Sequence, residues 1–379
     1  MDPTIALLEE LVAIDSVNPS LVPGARGEAE IARRILVECM SLGLTVDVTE
    51  IAPGRPNVVA VLDGRADGPT LLFCGHLDTV GVAGMERPFQ PVQRDGRLHG
   101  RGAQDMKGGV AAMLGAARQL VEAGGLARGR LVLAAVVDEE HASIGAEAFA
   151  ARWRADAAVV TEPTDLDIAV AHKGFAWVDV ETRGRAAHGS RPREGRDAIL
   201  RMGRVLARLE ALDRRLQAAP AHPLLGTASL HASLISGGQE LSSYPERCRL
   251  QIERRTLPGE AAGAALREVT TILDEIRIED EAFEGDARLA FGRQAYEIDP
   301  AHALPAVLAR AAATAGLAPR RVGMTFWSDA AIFGAAGIPT VLFGPGGAGL
   351  HGPDEYVRVH DVCVCRDALA ALVREFLGR

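Results

Sequence analysis

The first 170 residues repeat one pattern of apolar and polar positions. Continuous apolar runs predict buried strands, and the segments between them have apolar residues spaced near 3.6, which predicts helices. Alternating strands and helices are typical of an α/β layered domain with a mostly parallel central sheet. The predicted strands are 57–64, 70–76, 129–140 and 157–163, and the predicted helices are 3–14, 26–43, 107–123 and 144–153. Similar elements return at 302–316, 328–335, 340–345 and 366–377.

The middle of the chain has a different pattern. Apolar and polar residues alternate in FAWVDVETRG (175–184) and CRLQIERRTL (248–257), which predicts strands with one face in water. Amphipathic helices are predicted at about 195–215 and 260–276. We therefore expect two domains: a discontinuous α/β domain, and an α+β domain inserted into it. Their predicted bounds are 1–174 with 294–379, and 175–293.

Length and charge narrow the class of protein. At 379 residues the chain exceeds the size at which a single hydrophobic core stops growing. A net charge of -9 argues against a nucleic-acid partner or an anionic membrane. The opening residues are acidic rather than basic, and no apolar run reaches about 18 residues, so neither a signal peptide nor a membrane span is expected. The five cysteines lack zinc-finger spacing, which favours a reducing, cytoplasmic location.

Histidines and acids follow the predicted strands. TLLFCGHLDTV ends in His76 and Asp78, whose side chains share one side of an extended backbone because they are two residues apart. A lone His-x-Asp pair is more typical of a capped turn. Here, however, several other segments carry such residues to the same sheet edge, where open α/β sheets bind ligands. They include Asp105, Asp138, Glu139, Glu140, Glu162 and His351.

The side chains at this edge indicate a metal site. Carboxylates without basic partners would repel one another, and a bound cation is the simplest remedy. Histidine and carboxylate ligands without a thiolate suit catalytic zinc, with manganese or cobalt as alternatives. The candidates exceed the needs of one four-coordinate ion, which favours a two-metal hydrolase with one carboxylate left as general base.

Six motifs occur in an order that strongly resembles the M20 family of metallopeptidases and deacylases. They are GHLDTV, GRGAQDMKGG, VVDEEHASIGA, VTEPT, AAHGSRPREG and HGPDEYV. The family includes acetylornithine deacetylase, succinyl-diaminopimelate desuccinylase, aminoacylase and glutamate-type carboxypeptidases. The resemblance spans essentially the whole chain and implies a zinc-hydrolase catalytic domain with an inserted lid domain that usually mediates dimerisation.

The resemblance also assigns roles. His76 would bind one zinc, Glu162 would hold one zinc terminally and His351 the other. Asp105, often followed in relatives by a cis peptide, would bridge the metals, and Glu140 would be a further ligand. Glu139 matches the general base, and Asp78 would orient His76. His188 would reach the active site of the other subunit and stabilise the oxyanion. A surface-loop histidine is the alternative reading of His188.

The clues to the substrate are fewer. ERRTLPGE resembles the lid strand whose arginine grips the substrate carboxylate; the register favours Arg255, with Arg254 as the alternative. Ser242 stands where many relatives carry asparagine. The amides near Gly347 in GGAGLHG could meet the same carboxylate, or its glycines could simply form turns. In relatives, glutamate at the position of Glu162 tends to accompany N-acylated amino acids.

The leading hypothesis is hydrolysis of an N-acyl amino acid by a cytoplasmic homodimer with two Zn²⁺ per subunit. Co²⁺ or Mn²⁺ could replace zinc, and short peptides are possible substrates. The alternatives are a dipeptidase, a carboxypeptidase or a succinyl-diaminopimelate desuccinylase. A binding protein on the same fold would lack metal. A nucleotide-binding enzyme has little support, because GRGAQDMKGG lacks phosphate-loop spacing.

Overall fold

The computed structural model describes residues 2–82 and 84–378. The helices are α1 Pro3–Ala13, α2 Ala29–Ser41, α3 Gly108–Glu122, α4 Ile144–Arg152, α5 Ala198–Ala218, α6 Ala264–Glu279, α7 Leu304–Thr314, α8 Ala330–Ala335 and α9 Val359–Leu377, with one π-turn at Ala103–Lys107. The strands are β1 Thr45–Ala52, β2 Arg55–Asp63, β3 Thr70–His76, β4 Val92–Arg94, β5 Arg97–His99, β6 Arg130–Val136, β7 Ala157–Val160, β8 Ile168–His172, β9 Gly174–Arg183, β10 Ser229–Gly237, β11 Arg247–Thr256, β12 Glu284–Arg293, β13 Tyr296–Glu297, β14 Arg321–Met324, β15 Thr340–Leu342, β16 Gly347–Ala348 and β17 Tyr356–Arg358.

The chain divides into two compact units. The first unit contains Met1–Val170, Ile298–Val322 and Ser328–Arg379, and the second contains Ala171–Glu297 and Gly323–Trp327. The short segment 323–327 thus joins the second unit although it is distant from the rest of that unit in sequence.

A large sheet forms the centre of the first unit. Its strands run in the order β1-β2-β6-β3-β7-β15-β8. Strand β3 is parallel to both β6 and β7, and β15 is parallel to β7, whereas the outer pairs are antiparallel. Leu71, Leu72, Phe73 and Cys74 of β3 are fully buried, as expected for a central strand covered on both faces. The mostly parallel α/β fold predicted from the sequence is confirmed.

A helix and a strand end approach each other closely at the sheet edge near Asp105 and Glu162. A Cβ atom on Gly109, in the first turn of α3, would lie 1.9 Å from the carbonyl oxygen of Thr161. Only glycine fits there. Gly109 therefore allows the helix that follows Asp105 to pack directly against the segment that carries Glu162.

The second unit is built on an antiparallel sheet with the order β10-β11-β9-β12. Alternate residues of β9 and β11 are buried, and they pack with helices α5 and α6 into one core. The partly or fully exposed residues of β9 and β11 lie on the other face of the sheet. We call it the open face.

The sequence patterns located most long elements but missed several strands. β1 is only partly buried and β10 is mostly exposed, so their hydrophobic signal is weak. β4, β5, β16 and β17 have only two or three residues each and form a small separate sheet. No helix within residues 2–82 and 84–378 is long and apolar enough to cross a membrane.

His172, in the second unit, makes folding stability dependent on pH. The ring is buried among Tyr296 and Trp327, and Nδ1 lies 3.0 Å from the carbonyl oxygen of Lys173. Burial disfavours the charged ring and, with the nearby Arg255 charge, lowers the pKa of His172 to about 4. The unfolded chain therefore takes up a proton at a pH where the folded chain does not.

We predict that His172→Phe flattens the pH dependence of stability. His172 contributes stability above the pKa of an unfolded histidine, and loses about 3 kcal/mol of it as the pH falls to about 4. Denaturant unfolding from pH 7 to pH 4 should show this loss in the wild type and not in the variant. His231→Phe, which changes an exposed histidine, is the control. Identical pH profiles for the wild type and His172→Phe would contradict the prediction.

Candidate active site

One carboxylate lies between two histidines at the edge of the central sheet. Asp105 Oδ1 is 3.0 Å from His76 Nε2, and Asp105 Oδ2 is 3.3 Å from His351 Nε2. The three residues come from the end of β3, from the π-turn before α3 and from the loop after β16. Two oxygens that face two different nitrogen donors form the geometry of a bridging ligand. The peptide bond from Asp105 to Met106 is cis.

Three glutamates complete two groups of donors around this bridge. His76 Nε2 is 3.9 Å from Glu139 Oε2 and 3.9 Å from Glu162 Oε1. His351 Nε2 is 3.3 Å from Glu140 Oε2. His76, Glu139 and Glu162 form one possible metal-holding group, and His76, Asp105 and Glu140 form another. Neighbouring Glu139 and Glu140, just after β6, thus face different groups.

The buried carboxylates of Glu139, Glu140 and Glu162 repel one another when they are ionised. A bound cation or protonation would relieve this repulsion. Burial, together with repulsion from one another and from Asp329, raises the pKa of Glu139 and Glu162 well above the ordinary value. Burial and the Asp105 charge raise the pKa of Glu140 to about 7. Hydrogen bonds to Asp105 and Glu140 raise the pKa of His351 to about 10. Within the described residues, no ion pair of the three glutamates involves lysine or arginine.

The donor set fits a divalent metal. Oε1 of Glu140 is buried without a hydrogen-bond partner in the structure, which is costly for a carboxylate oxygen unless a cation binds it. His76 Nδ1 lies 2.9 Å from the carbonyl oxygen of Asp78. A carbonyl can only accept, so Nδ1 carries the proton and Nε2 is left as the metal-binding nitrogen. Imidazole and carboxylate donors without thiolate suit zinc, cobalt or manganese.

The Asp78 carboxylate mainly holds the turn that carries the two glutamates. It accepts the backbone N–H groups of Glu139 and Glu140 at 3.1 Å each, and the Asn18 side chain at 2.8 Å. Its distance to His76 Nδ1 is 3.6 Å, longer than a hydrogen bond. His76 is therefore oriented by the backbone carbonyl of Asp78, while the carboxylate fixes the acids.

A buried network behind this turn was not anticipated from the sequence. Asn18 also donates to Asp138 at 3.0 Å, and Asp138 pairs with Arg55 at 2.8 Å. Arg55 in turn pairs with the buried Glu28. These residues are scattered through the first 138 positions, and no spacing links them.

Glu355 is a second residue that sequence reasoning missed, although it lies within the HGPDEYV motif. Its buried carboxylate accepts Arg101 Nη1 at 2.7 Å and the N–H groups of Gly102, Gln104 and Asp105 at 3.0, 2.9 and 3.1 Å. Four donors thus converge on one side chain. Glu355 ties the Asp105 turn to the loop that presents His351, four residues earlier.

The predicted oxyanion donor lies in the second unit. His188 is exposed, and its Nδ1 is 2.8 Å from Ser190 Oγ. Gly189 donates its N–H to the Ser242 carbonyl oxygen at 2.7 Å, and His188 and Ser243 form an isolated bridge. The structure thus brings the predicted residues His188 and Ser242 together.

The two candidate arginines have different surroundings. Arg254 is buried and paired with Glu260 and Glu268, so it stabilises the core of the second unit. Arg255 is partly exposed on the open face. Gly347 lies in β16, paired opposite Val357, rather than in an open loop.

The histidines and carboxylates gathered at this sheet edge fit a metal-dependent hydrolase. Residues 72–375 match Peptidase family M20/M25/M40, and the chain belongs to this family. It therefore is a metal-dependent enzyme that hydrolyses amide bonds.

Individual relatives cover nearly the whole chain. Acetylornithine deacetylase of Myxococcus xanthus is 31% identical over 387 residues, which cover 98% of this chain and 97% of that protein. N-formyl-4-amino-5-aminomethyl-2-methylpyrimidine deformylase of Bacillus subtilis (strain 168) is 30% identical over 359 residues, covering 86% and 83%. A dinuclear metal-binding peptidase of family M20 from Bacillus subtilis superposes with a TM-score of 0.75 at 17% identity, covering 99% and 98%.

We predict that Glu355→Gln weakens metal binding without unfolding the chain. The amide keeps the volume but loses the charge that pairs with buried Arg101, so the Asp105 turn loosens. Loss of such a supporting contact typically lowers metal affinity about 10- to 100-fold.

Chelator competition measures the dissociation constant, and circular dichroism checks the fold. Asp354→Asn makes the same change at the preceding, exposed position and should leave the constant unaltered. Equal metal affinity in Glu355→Gln and the wild type would show that Glu355 does not support the site.

Proposed function

We propose that this enzyme hydrolyses the amide bond between an acyl group and an amino acid. The observation that carries the proposal is Asp105, whose two oxygens face His76 and His351 amid three glutamates. The deacetylase relative supports an acylated amino acid as the substrate. The free thiols of all five cysteines fit a cytoplasmic enzyme.

The donors divide into two sites that share Asp105. His76 and Glu162 would hold one ion, and His351 and Glu140 the other. We propose zinc at both sites, with cobalt or manganese as functional substitutes. The dinuclear metal-binding peptidase of the same fold supports two ions. When bound, the ions would acidify the attacking water and polarise the scissile carbonyl.

Glu139 is the proposed general base. Its carboxylate is nearly buried and faces the His76 side of the bridge. It would take a proton from the attacking water and then return it to the leaving amine nitrogen. A raised pKa suits this second step, because the carboxyl must hold the proton until the amine departs.

His188 is the proposed donor to the oxyanion, and it would act in the partner subunit of a homodimer. The exposed ring is held by Ser190, and Ser242 supports its loop through Gly189. β10 is an edge strand of its sheet, and edges invite pairing with another chain. Exposed apolar side chains nearby support such an interface: Leu200, Leu234, Ile235 and Leu241.

We propose that Arg255 holds the substrate carboxylate. A guanidinium binds a carboxylate through two parallel hydrogen bonds. The backbone near Gly347 is the second proposed contact. We propose that Ser242, which stands where many relatives carry asparagine, also contacts the substrate.

A substrate panel tests the reaction class. N-acetylornithine, other N-acetyl amino acids, N-succinyl amino acids, dipeptides and the formylated aminomethylpyrimidine should be compared with added zinc. We expect the highest kcat/KM for an N-acyl amino acid. A clear preference for dipeptides with a free amine would overturn the proposal.

The neighbouring Glu139 and Glu140 provide a matched pair of variants. We predict that Glu139→Gln lowers kcat about 10²- to 10⁴-fold while the chain keeps its metal, because a base is lost but not a ligand. Glu140→Gln should instead lose metal. Elemental analysis and initial rates distinguish the two. Loss of metal from Glu139→Gln would make Glu139 a ligand and refute its assignment as base.

A further inference from the structure

The turn after β6, which carries Glu139 and Glu140, has an unusual backbone conformation. Asp138, the residue before them, has a φ of 71°, in the left-handed region that few residues other than glycine adopt. Its carbonyl oxygen accepts the N–H groups of His141 and Ala142 at 3.3 and 3.1 Å. The backbone of Asp138 thus closes the turn, and the directions in which the two glutamates point depend on it.

The side chain of Asp138 is held from outside the turn. It is buried, and its Oδ1 lies 2.8 Å from Arg55 Nη1 and 3.0 Å from Asn18 Nδ2. Its Oδ2 accepts the N–H of Ala142 at 3.2 Å. Both carboxylate oxygens therefore have donors, and Arg55 supplies a charge-assisted contact to one of them.

Arg55 is itself fixed by a second buried acid. Its Nε donates to Glu28 Oε2 at 2.8 Å and its Nη2 donates to Glu28 Oε1 at 2.5 Å, which is a two-pronged contact. Nη1 also donates to Ser20 Oγ at 3.1 Å. Arg55 is 6% exposed and Glu28, at the N-terminus of α2, is 0% exposed. The guanidinium is thus held independently of Asp138 and is a rigid anchor for the turn.

Strand β2 holds the same turn at a second residue. Asn57 lies two positions after Arg55, so both side chains leave the strand on the same side. Asn57 Oδ1 accepts the N–H of Val137 at 3.1 Å, and its Nδ2 donates to the Gly145 carbonyl oxygen at 2.8 Å. A Cβ atom on Gly145 would lie 2.5 Å from the backbone nitrogen of Val137. The two side chains of β2 therefore hold the turn at its start and at its end.

A metal ligand and a general base differ in how strongly they depend on this turn. Glu140, as a proposed ligand, would also be held by its metal, whereas Glu139, as the proposed base, has no such bond. Asp78 accepts the backbone N–H groups of both glutamates and so does not distinguish them. A misplacement of about 1 Å can lower the rate of a reaction about 10²-fold. Loosening of the turn should therefore reduce turnover more than metal binding.

We propose that Arg55 is a positioning residue for the general base Glu139 and acts through Asp138. The inference rests on the proposed function and adds a residue to it. The effect of Arg55 on the reaction is indirect, because its guanidinium holds the side chain of Asp138 and the backbone of Asp138 aims the Glu139 carboxylate.

Arg55→Lys tests the proposal, because lysine keeps the charge but loses the planar fork that binds Glu28 and Asp138 together. We expect kcat to fall about tenfold on the amide that the wild type hydrolyses fastest. KM and the metal dissociation constant, measured by chelator competition, should change less than about twofold. Arg34→Lys, which alters an arginine of α2 that also bridges two glutamates, is the control and should leave all three values unaltered.

The Glu139→Gln background separates positioning from a purely structural role. If Arg55 acts through the base, adding Arg55→Lys should lower the residual kcat of Glu139→Gln less than about twofold, because the effects of coupled residues do not add. Equal losses in the two backgrounds, an unchanged kcat in Arg55→Lys, or loss of metal together with kcat would overturn the proposal. Wild-type kcat in Glu139→Gln would refute the base and the role of Arg55 together.

Asp138→Asn is the second variant, used if circular dichroism shows that Arg55→Lys does not fold. Asparagine tolerates the left-handed conformation but lacks the charge that pairs with Arg55. We expect the same lower kcat with metal retained, and again only when Glu139 is present; equal losses in both backgrounds would overturn the proposal. If the wild type prefers dipeptides, the proposed substrate class is wrong, while the two kcat losses on a dipeptide still decide the role of Arg55.

Discussion

The carboxylate of Asp105, which lies between His76 and His351, is the contact on which the proposed site depends. Its two oxygens lie at 3.0 and 3.3 Å from histidine nitrogens that come from opposite ends of the chain. Glu139, Glu140 and Glu162 lie around it, each with a carboxylate oxygen within 3.9 Å of one of these histidines. Among the ion pairs of the described residues, Glu139, Glu140 and Glu162 pair with histidine but not with lysine or arginine, and a divalent cation would relieve the repulsion between their carboxylates.

Two acids that we do not propose as metal ligands, Glu355 and Asp78, hold Asp105 and the glutamates in place by hydrogen bonds. Glu355 receives four donors and fixes the turn that presents Asp105. Asp78 receives the backbone of Glu139 and Glu140, and Asn18 connects Asp78 to the buried pair of Asp138 and Arg55. The positions of the proposed metal ligands thus depend on hydrogen bonds from residues that would not themselves touch the metal.

The sequence predicted the class of fold and the family, and both are confirmed. It brought His76 and Glu162 to the same edge because they follow parallel strands, whose carboxyl ends meet there, and their role as metal ligands stays a prediction. It did not find Glu355, whose donors lie about 250 residues away and leave no local pattern. It assigned the orientation of His76 to the Asp78 carboxylate, which lies 3.6 Å from Nδ1, and did not anticipate the backbone carbonyl of Asp78, which lies 2.9 Å from the same nitrogen.

In the second unit, too, the sequence pattern predicted individual strands but not the contacts between distant segments. Alternation in 175–184 and 248–257 predicted two strands with a wet face, and β9 and β11 have this form. The bulge in β12 breaks alternation, so the rings of Phe291 and Trp177 could not be paired from the pattern. The joining of 323–327 to this unit is a long-range contact that periodicity cannot reveal.

The most direct test of the central claim is a crystal structure of the zinc-loaded enzyme with anomalous scattering recorded at the zinc edge. We expect two peaks roughly 3.5–4 Å apart. One should lie beside His76 and Glu162, the other beside His351 and Glu140, with Asp105 in contact with both. A single peak, or two peaks that do not share Asp105, would contradict the claim.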